Sequence, residues 1–258
     1  MLNKNSQNFN IYSSVSKQFS VSLERFDPRV HRYPMTNVKI DRIIRSKRST
    51  VSLEITRDAR LVVRAPESVP WKYIEEFVLR KQSWITDKQR FVRERYYHVR
   101  PKAFIDGEEF LYLGDAYRLS ITEEGEQLLL LDREFHLPRA YRPGARTVFV
   151  NWYKQQAYLK IKERVDWYAG LFGLTYNKFS ITQARRLWGS CSARNNLHFS
   201  WRLVMAPLHV VDYVVIHELA HLKEKNHSKK FWDKVSTMLP DYKKSLTWLK
   251  ENEHLFMI

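Results

Sequence analysis

The alternation of apolar and polar residues in the first half of the chain predicts short strands and one helix. Three segments between residues 38 and 66 alternate with a period of two and are separated by polar turns, which is typical of a β-meander. An apolar face with helical spacing follows over residues 71–85, and we expect this helix to continue to about Tyr97. Two more alternating segments, residues 108–121 and 126–138, predict another hairpin.

The second half of the chain has longer periodic segments and predicts a helical lobe with a small sheet. Residues 145–172 keep a helical period, and Gly173 is a typical helix stop. Residues 178–188 and 196–206 predict two strands, and Pro207 predicts the start of another helix, where its missing N–H costs nothing. The whole pattern therefore predicts an α+β fold with a β-rich N-terminal lobe crossed by one helix.

Composition narrows the class of protein. The 258 residues are 44% hydrophobic and 14% aromatic, which is enough for a proper core. The net charge of +16 favours acidic partners such as nucleic acid, nucleotides or anionic membrane surfaces, although many basic proteins are merely soluble. No apolar stretch approaches the roughly 20 residues that span a bilayer, so we expect no membrane partner. Cys191 is the single cysteine, which excludes an intrachain disulfide and favours a reducing, cytoplasmic compartment.

The segment IHELAHLKEKNH, residues 216–227, concentrates the side chains best suited to metal chemistry. His217 and His221 are four residues apart within a helical apolar period, so both imidazoles share one face and can bind one zinc ion. Glu218 is rotated by about 100° from His217 and can act as general base on a water activated by the metal, as in HExxH motifs. The competing interpretation is an ordinary helix with two hydrogen-bonded surface histidines.

A zinc site of this kind needs a third ligand. His227 lies ten residues after the first motif histidine, about 15 Å along an unbroken helix, and could not then reach the metal. Asn226 tolerates a left-handed conformation and Ser228 suits the N-cap of a following helix, so we expect the helix to stop near residues 224–225 and the chain to fold back. His227 would then complete a three-histidine site, and Glu251 is the competing ligand.

Four residues are candidates for substrate contact. His198 and Arg202 alternate onto one face of the second predicted strand, where either could polarise a substrate oxygen. The edge of that strand is expected to be open to an extended peptide. Lys229 and Lys230 open the helix after the third histidine, where they face an anionic substrate or are simply solvated.

The polar loop GSCSARN precedes that strand. Gly189 is expected to allow a tight turn, and Ser190 and Ser192 to hydrogen-bond backbone groups. Cys191 is expected to be structural, because the sequence offers it no Cys-x-x-Cys partner.

Basic residues in the first half support a separate hypothesis, a nucleic-acid-binding module. The charges could contact phosphates and the interleaved aromatics could stack on bases, although such aromatics are more often core and such charges solvated. The residues are Arg42, Arg45, Lys47, Arg48, Arg80, Lys81, Lys88, Arg90, Arg93 and Arg95, with Trp84, Phe91, Tyr96 and Tyr97.

The segment RLWGSCSARNNLHFSWRLVMAPLHVVDYVVIHELAHLKEKNHSKKFW, followed by LPDYKKSLTWLK, closely resembles the YgjP-like metal-dependent hydrolases, which are related to the SprT-type and WLM zincins. Upstream, IIRSKRSTVSLEI and YLGDAYRLSI also match, so the resemblance covers roughly residues 38–252. At Leu187 the family commonly has a basic residue, and Arg186 is the nearest substitute. The resemblance implies the following zinc ligands and catalytic residue: His217, His221, His227 and Glu218.

These observations predict a disordered polar tail over residues 1–36, a β-rich basic lobe over 37–140 and a zincin-like metallopeptidase domain over 141–258. In that domain the HExxH helix is expected to pack on a small sheet. The leading functional hypothesis is a zinc-dependent hydrolase that cleaves a peptide bond in a peptide or protein, with Glu218 as general base. The alternatives are hydrolysis of an anionic substrate, such as a nucleoside triphosphate, and nucleic-acid binding with an accessory metal site.

Overall fold

The computed structural model describes residues 21–22, 38–56, 58–96, 101–185 and 187–258. These residues fall into two compact units, the first ending before residue 101 and the second spanning residues 101–258. The predicted disordered tail, residues 1–36, lies outside the described residues except for Val21–Ser22, which form a short strand.

The N-terminal unit consists, in its described part, of a four-stranded sheet and two helices. The strands are β1 (Val21–Ser22), β2 (Arg42–Ser46), β3 (Thr50–Ile55) and β4 (Leu61–Pro66), and the helices are α1 (Trp71–Arg80) and α2 (Gln82–Tyr96). Lys81 separates two helices where the pattern predicted one. Leu53 and Val63 of the sheet are buried together with Phe77 and Ile85 of the helices, so the predicted apolar face does form a core.

The strand order in this unit differs from the predicted meander. The order is β1-β3-β4-β2, so β2 lies on the far side of β4 and runs parallel to it. Alternation identifies a strand but not the neighbour that it takes. A long-range contact stabilises the parallel pairing, because the Arg45 guanidinium on β2 donates to the carbonyl oxygens of Pro66, Glu67 and Val69 at and just after the end of β4.

The C-terminal unit contains two sheets and four α-helices within its described residues. The first sheet has the order β5-β6-β8-β7, and the second has the order β10-β11-β9. In the first, β6 and β8 are parallel, which a simple hairpin pattern did not predict. The elements are β5 (Glu109–Tyr112), β6 (Asp115–Thr122), β7 (Leu129–Leu131), β8 (Glu134–Pro138), α3 (Ala145–Leu171), β9 (Lys178–Thr182), β10 (Gly189–Cys191), β11 (Asn196–Ser200), α4 (Leu208–Ala220), α5 (Lys229–Met238) and α6 (Tyr242–Asn252).

The β5–β8 sheet belongs to the C-terminal unit, whereas the sequence pattern placed it in the N-terminal lobe. Phe110 and Phe135 of this sheet pack against Phe149 of α3, with ring centroids 4.2 and 5.1 Å away. The Tyr153 hydroxyl of α3 donates to the Leu111 carbonyl at 2.6 Å. These contacts join the sheet to the long helix, and no local pattern reports which helix a sheet will cover.

Helix α3 lies at the centre of the C-terminal unit and confirms the predicted long helix. It ends at Leu171, and Gly173 follows with a φ of +59°. It packs against α4 and against a 3-10 helix over Trp201–Met205. Its buried positions recur every four residues: Ala145, Phe149, Tyr153, Ala157, Ile161, Val165 and Ala169.

The chain is therefore α+β, as predicted, with six α-helices and three small sheets among the residues that the structure describes. None of the described helices combines the length and the apolar character needed to cross a bilayer.

One ion pair links the two central helices of the C-terminal unit. Arg164 on α3 and Asp212 on α4 pair through two N–O contacts of 2.6 and 3.0 Å, and their side chains are only 19% and 13% exposed. Removal of one partner leaves the other charge poorly hydrated, so we expect Asp212→Ala to lower the free energy of unfolding by about 2–4 kcal/mol in urea denaturation.

The matched control is Glu163→Ala, which breaks a pair with Lys160 on the more exposed side of the same helix. A solvated pair of this kind is worth less than about 1 kcal/mol. Equal losses in the two variants would contradict a special role for the pair between α3 and α4.

Candidate metal centre

The helix that carries the HExxH motif, α4, is buried on all sides rather than along one stripe. Pro207 precedes its first residue, as predicted. Between Val210 and Ala220 every side chain is buried except that of Asp212. His217 and Glu218 are 0% exposed. Ionisable groups in such a place are normally paired or bound to a metal, which makes this helix the first place to look for a site.

The chain does reverse after the motif, but earlier than predicted. Helix α4 ends at Ala220, and the amides of Lys223 and Glu224 both donate to the Ala220 carbonyl, at 3.1 and 3.0 Å, in a tight last turn. Asn226 has no positive φ, so the expected left-handed residue does not make the reversal. The predicted cap is confirmed, because the Ser228 hydroxyl accepts from the first turn of α5.

The reversal brings three imidazoles together. The Nε2 atom of His227 lies 3.0 Å from that of His217 and 3.2 Å from that of His221. The His221 Nδ1 lies 2.9 Å from the Glu224 carbonyl, to which it can only donate, so its Nε2 keeps a lone pair for a metal. Glu251, the competing ligand, lies in α6 and does not belong to this cluster.

The donor set and its spacing fit a divalent metal ion. Nitrogen ligands about 2.1 Å from a tetrahedral zinc lie about 3.4 Å apart, close to the observed spacing. Burial lowers the pKa of all three histidines, and that of His227 falls to about 4. In His217 and His227 the neighbouring imidazoles lower the pKa further. The neutral ring is the form that binds a metal, so the pocket favours the competent form.

Phe231 is a contributor to the site that the sequence pattern did not reveal. Its ring centroid lies 4.8 Å from that of His217, 4.4 Å from that of His221 and 4.8 Å from that of His227. Phe231 is 0% exposed, so it seals one side of the cluster. Its position four residues after His227, on the first turn of the next helix, was the available signal.

Glu218 is held against the backbone of β10. A methyl group at position 189 would lie 2.6 Å from the Glu218 Cγ and 2.8 Å from its Oε1, closer than real Cβ contacts. Gly189 was expected to serve a tight turn, but it lies in a strand and has no positive φ. Its role is to allow the strand to approach the carboxylate.

The predicted strand over residues 196–206 is shorter than expected, so the substrate candidates His198 and Arg202 lie in different elements and do not share one strand face. β11 ends at Ser200, and Arg202 lies in the following 3-10 helix, with its guanidinium 4.2 Å from the Trp201 ring centroid. His198 hydrogen-bonds Ser180 at 2.6 Å on the face of β11 opposite to the buried Phe199. Neither residue joins the imidazole cluster.

The edge of β11 is not open, contrary to the prediction. β11 pairs with β9 on one side and with β10 on the other. Within the described part of this sheet, β10 is a terminal strand. Lys229 and Lys230 occupy the exposed first turn of α5, directly after the cap, and their contact with a substrate stays a prediction.

The basic residues of the predicted nucleic-acid surface lie in the N-terminal unit, and some of them make contacts within the protein. Arg45 binds three backbone carbonyls and Arg90 pairs with Asp87 at 2.9 Å. The Lys88 ammonium lies over the Phe91 ring. The side chains of Arg95 and Tyr96, and the whole of Tyr97, are outside the described residues. Nucleic-acid binding stays a prediction.

Comparison with known families agrees with this site. A sequence model of the YgjP-like metallopeptidase domain matches residues 49–252, most of the chain. The chain belongs to this family. No curated protein and no solved structure matches significantly. Membership of the YgjP-like family confirms the resemblance noted in the sequence, and it supports a metal-dependent hydrolase with a divalent ion at the histidine cluster.

The contact between Gly189 and Glu218 predicts that a side chain at position 189 is not tolerated. We expect Gly189→Ala to lower the free energy of unfolding of the metal-free protein by about 1–3 kcal/mol, because the strand or the carboxylate must move. Gly170→Ala on α3 is the control, since a methyl group there meets no atom within 4 Å. It should be neutral or stabilising by up to about 1 kcal/mol. Equal stability of the two variants in urea would contradict the close contact.

The cluster also predicts which of the two candidate third ligands matters. We expect His227→Ala to lose bound metal, because two nitrogens hold an ion far less tightly than three. Glu251→Ala should retain about one ion per chain. Elemental analysis after dialysis against a weak chelator measures both, and the reverse outcome would assign the third position to the carboxylate.

Proposed function

We propose that this protein is a cytoplasmic zinc-dependent peptidase, in which His217, His221 and His227 hold the ion and Glu218 is the general base. The observation that carries the proposal is the approach of three imidazole nitrogens to within hydrogen-bond distance next to a buried glutamate on the same helix. The free thiol of Cys191 suits a reducing compartment.

The division of labour follows from the chemistry of the side chains. Bound zinc supplies Lewis acidity, which polarises a carbonyl group and lowers the pKa of water. Glu218 accepts the proton of the attacking water and returns it to the nitrogen of the leaving amine. The hydrogen bond from His221 to the Glu224 carbonyl holds that ring in one tautomer and one orientation.

A peptide substrate is supported by the outer edge of β10. The Ser192 amide donates to the Asn196 carbonyl at 2.9 Å, so this residue is turned towards β11. Alternate residues of an antiparallel strand point their N–H and C=O groups to the other side. Gly189 and Cys191 therefore direct theirs away from β11, where an extended peptide can add as a further strand.

The same strand contacts the proposed base with one of its faces. Gly189 is the residue that contacts the Glu218 side chain, and it is also one of the two that offer backbone groups at the outer edge. A peptide bound at that edge would lie beside the residue that contacts the carboxylate. This arrangement favours an amide substrate over a compact anion.

Substitution of the proposed base tests the mechanism. We expect Glu218→Gln to lower peptide cleavage by at least about 100-fold, because the amide cannot accept a proton. The metal content should stay at about one ion per chain, because Glu218 is not a ligand. The assay follows cleavage of a peptide mixture by mass spectrometry, together with elemental analysis.

Glu224→Gln is the matched control, because its backbone carbonyl, and not its carboxylate, contacts the site. That variant should keep its activity, and full activity in Glu218→Gln would contradict the assigned role. Release of phosphate from nucleoside triphosphates by the zinc-loaded protein, without cleavage of any peptide, would overturn the peptidase proposal in favour of an anionic substrate.

A further inference from the structure

Lys225, which lies between the second and third histidines, contacts the turn between β10 and β11. The Lys225 ammonium donates to the Asn195 side-chain oxygen at 2.7 Å and to the Ser192 carbonyl at 3.3 Å, and it lies 3.7 Å from the Cys191 sulfur. These partners precede it by 30 to 34 residues, so the contact is entirely tertiary.

The segment over residues 222–228 determines the placement of two of the three imidazoles. It carries His227 itself, and it carries the Glu224 carbonyl that accepts from His221. The segment has no regular secondary structure after residue 223, and Lys225 and Asn226 are exposed. A displacement of this segment would therefore move one ligand and release the orientation of another.

The turn that Lys225 contacts is itself well ordered by local hydrogen bonds. Asn195 has a φ of +56°, and its amide donates to the Ser192 carbonyl at 3.0 Å. The Asn196 amide donates to the Ser192 hydroxyl at 3.1 Å, and the Asn177 amide donates to the Asn195 carbonyl at 2.9 Å. Lys225 thus ties an irregular segment to a preformed turn.

We propose that Lys225 is a positioning residue, which holds the segment over residues 222–228 against the β10–β11 turn and thereby sets the metal affinity of the histidine cluster. The proposal rests on the proposed function for the presence of a metal at that cluster. Through Lys225, the histidine cluster would be coupled to the β10–β11 hairpin, whose strand β10 contacts Glu218.

Electrostatics and positioning predict opposite effects of removing this lysine. An ammonium group near a divalent cation repels it, so loss of the charge alone would tighten metal binding. Loss of a positioning contact would weaken metal binding, because the imidazoles of His221 and His227 are no longer held in place. Lys223 is the matched control, since it lies in the same segment, is exposed and has no hydrogen bond or ion pair from its side chain within the described chain.

The test measures zinc dissociation constants by competition with a chromophoric chelator. We expect Lys225→Met to weaken binding about tenfold, in the range typical for groups that orient ligands. Lys225→Arg should recover most of the loss, because it keeps a cationic donor of similar reach. Lys223→Met should bind zinc as tightly as the wild type or more tightly.

Asn195→Ala approaches the same contact from the other side and should give a similar loss. The double variant should bind zinc no more weakly than Lys225→Met alone, because Lys225→Met already removes the contact with Asn195. The single variant Asn195→Ala also keeps the test decisive if Lys225→Met fails to fold.

The single thiol offers a readout that does not depend on activity. In the wild type we expect zinc to slow alkylation of Cys191 by at least about threefold, because an ordered segment keeps Lys225 over the sulfur. In Lys225→Met the ratio of rates without and with zinc should fall close to one. The comparison is made within each variant, so any difference in thiol reactivity that does not depend on zinc cancels.

Two failures are distinguishable. If the wild-type protein binds no zinc, the proposed function fails and this inference fails with it. If the wild type binds zinc but Lys225→Met and Asn195→Ala bind it as tightly as Lys223→Met, the positioning role alone is overturned.

Discussion

Three imidazole nitrogens can approach to about 3 Å only if the motif helix ends before the third histidine. An unbroken helix would carry His227 about 15 Å beyond His217. Helix α4 instead ends in a tight turn on the Ala220 carbonyl, and the next helix, α5, begins after the Ser228 cap. That restart places Phe231 against all three rings, so the same reversal both gathers the ligands and seals one side of them.

Because the histidine cluster and Glu218 are buried, surrounding elements must hold them in place. His217 and Glu218 are fully enclosed, and enclosed ionisable groups are costly unless the surrounding structure holds their partners in place. The scaffold meets this need from two sides, by packing α4 against α3 and by pressing the glycine of β10 against the carboxylate. The ion pair between Arg164 and Asp212 fixes the first of these contacts.

The hairpin of β10 and β11 connects the proposed metal and substrate functions. Its outer strand touches Glu218 through Gly189, and its turn binds the segment that carries His227 through Lys225. A small sheet element thus contacts the proposed base and the metal-binding segment at once. A displacement of this hairpin is therefore expected to disturb both.

The sequence by itself determined the elements whose signals are local. The spacing of His217 and His221, the cap at Ser228, the long helix ending before Gly173 and the α+β class all follow from periodicity and capping within a few residues. The clustering of His227 with the motif histidines was also predicted, since a reversal was the single way for it to reach them.

Tertiary structure alone decided the partners. Four contacts join residues that are far apart in sequence: the parallel pairing of β2 with β4, that of β11 with β9, the packing of the β5–β8 sheet on α3, and the contact of Lys225 with the β10–β11 turn. Periodicity states which face of an element is buried, but not what covers it, because that depends on the packing of the whole core.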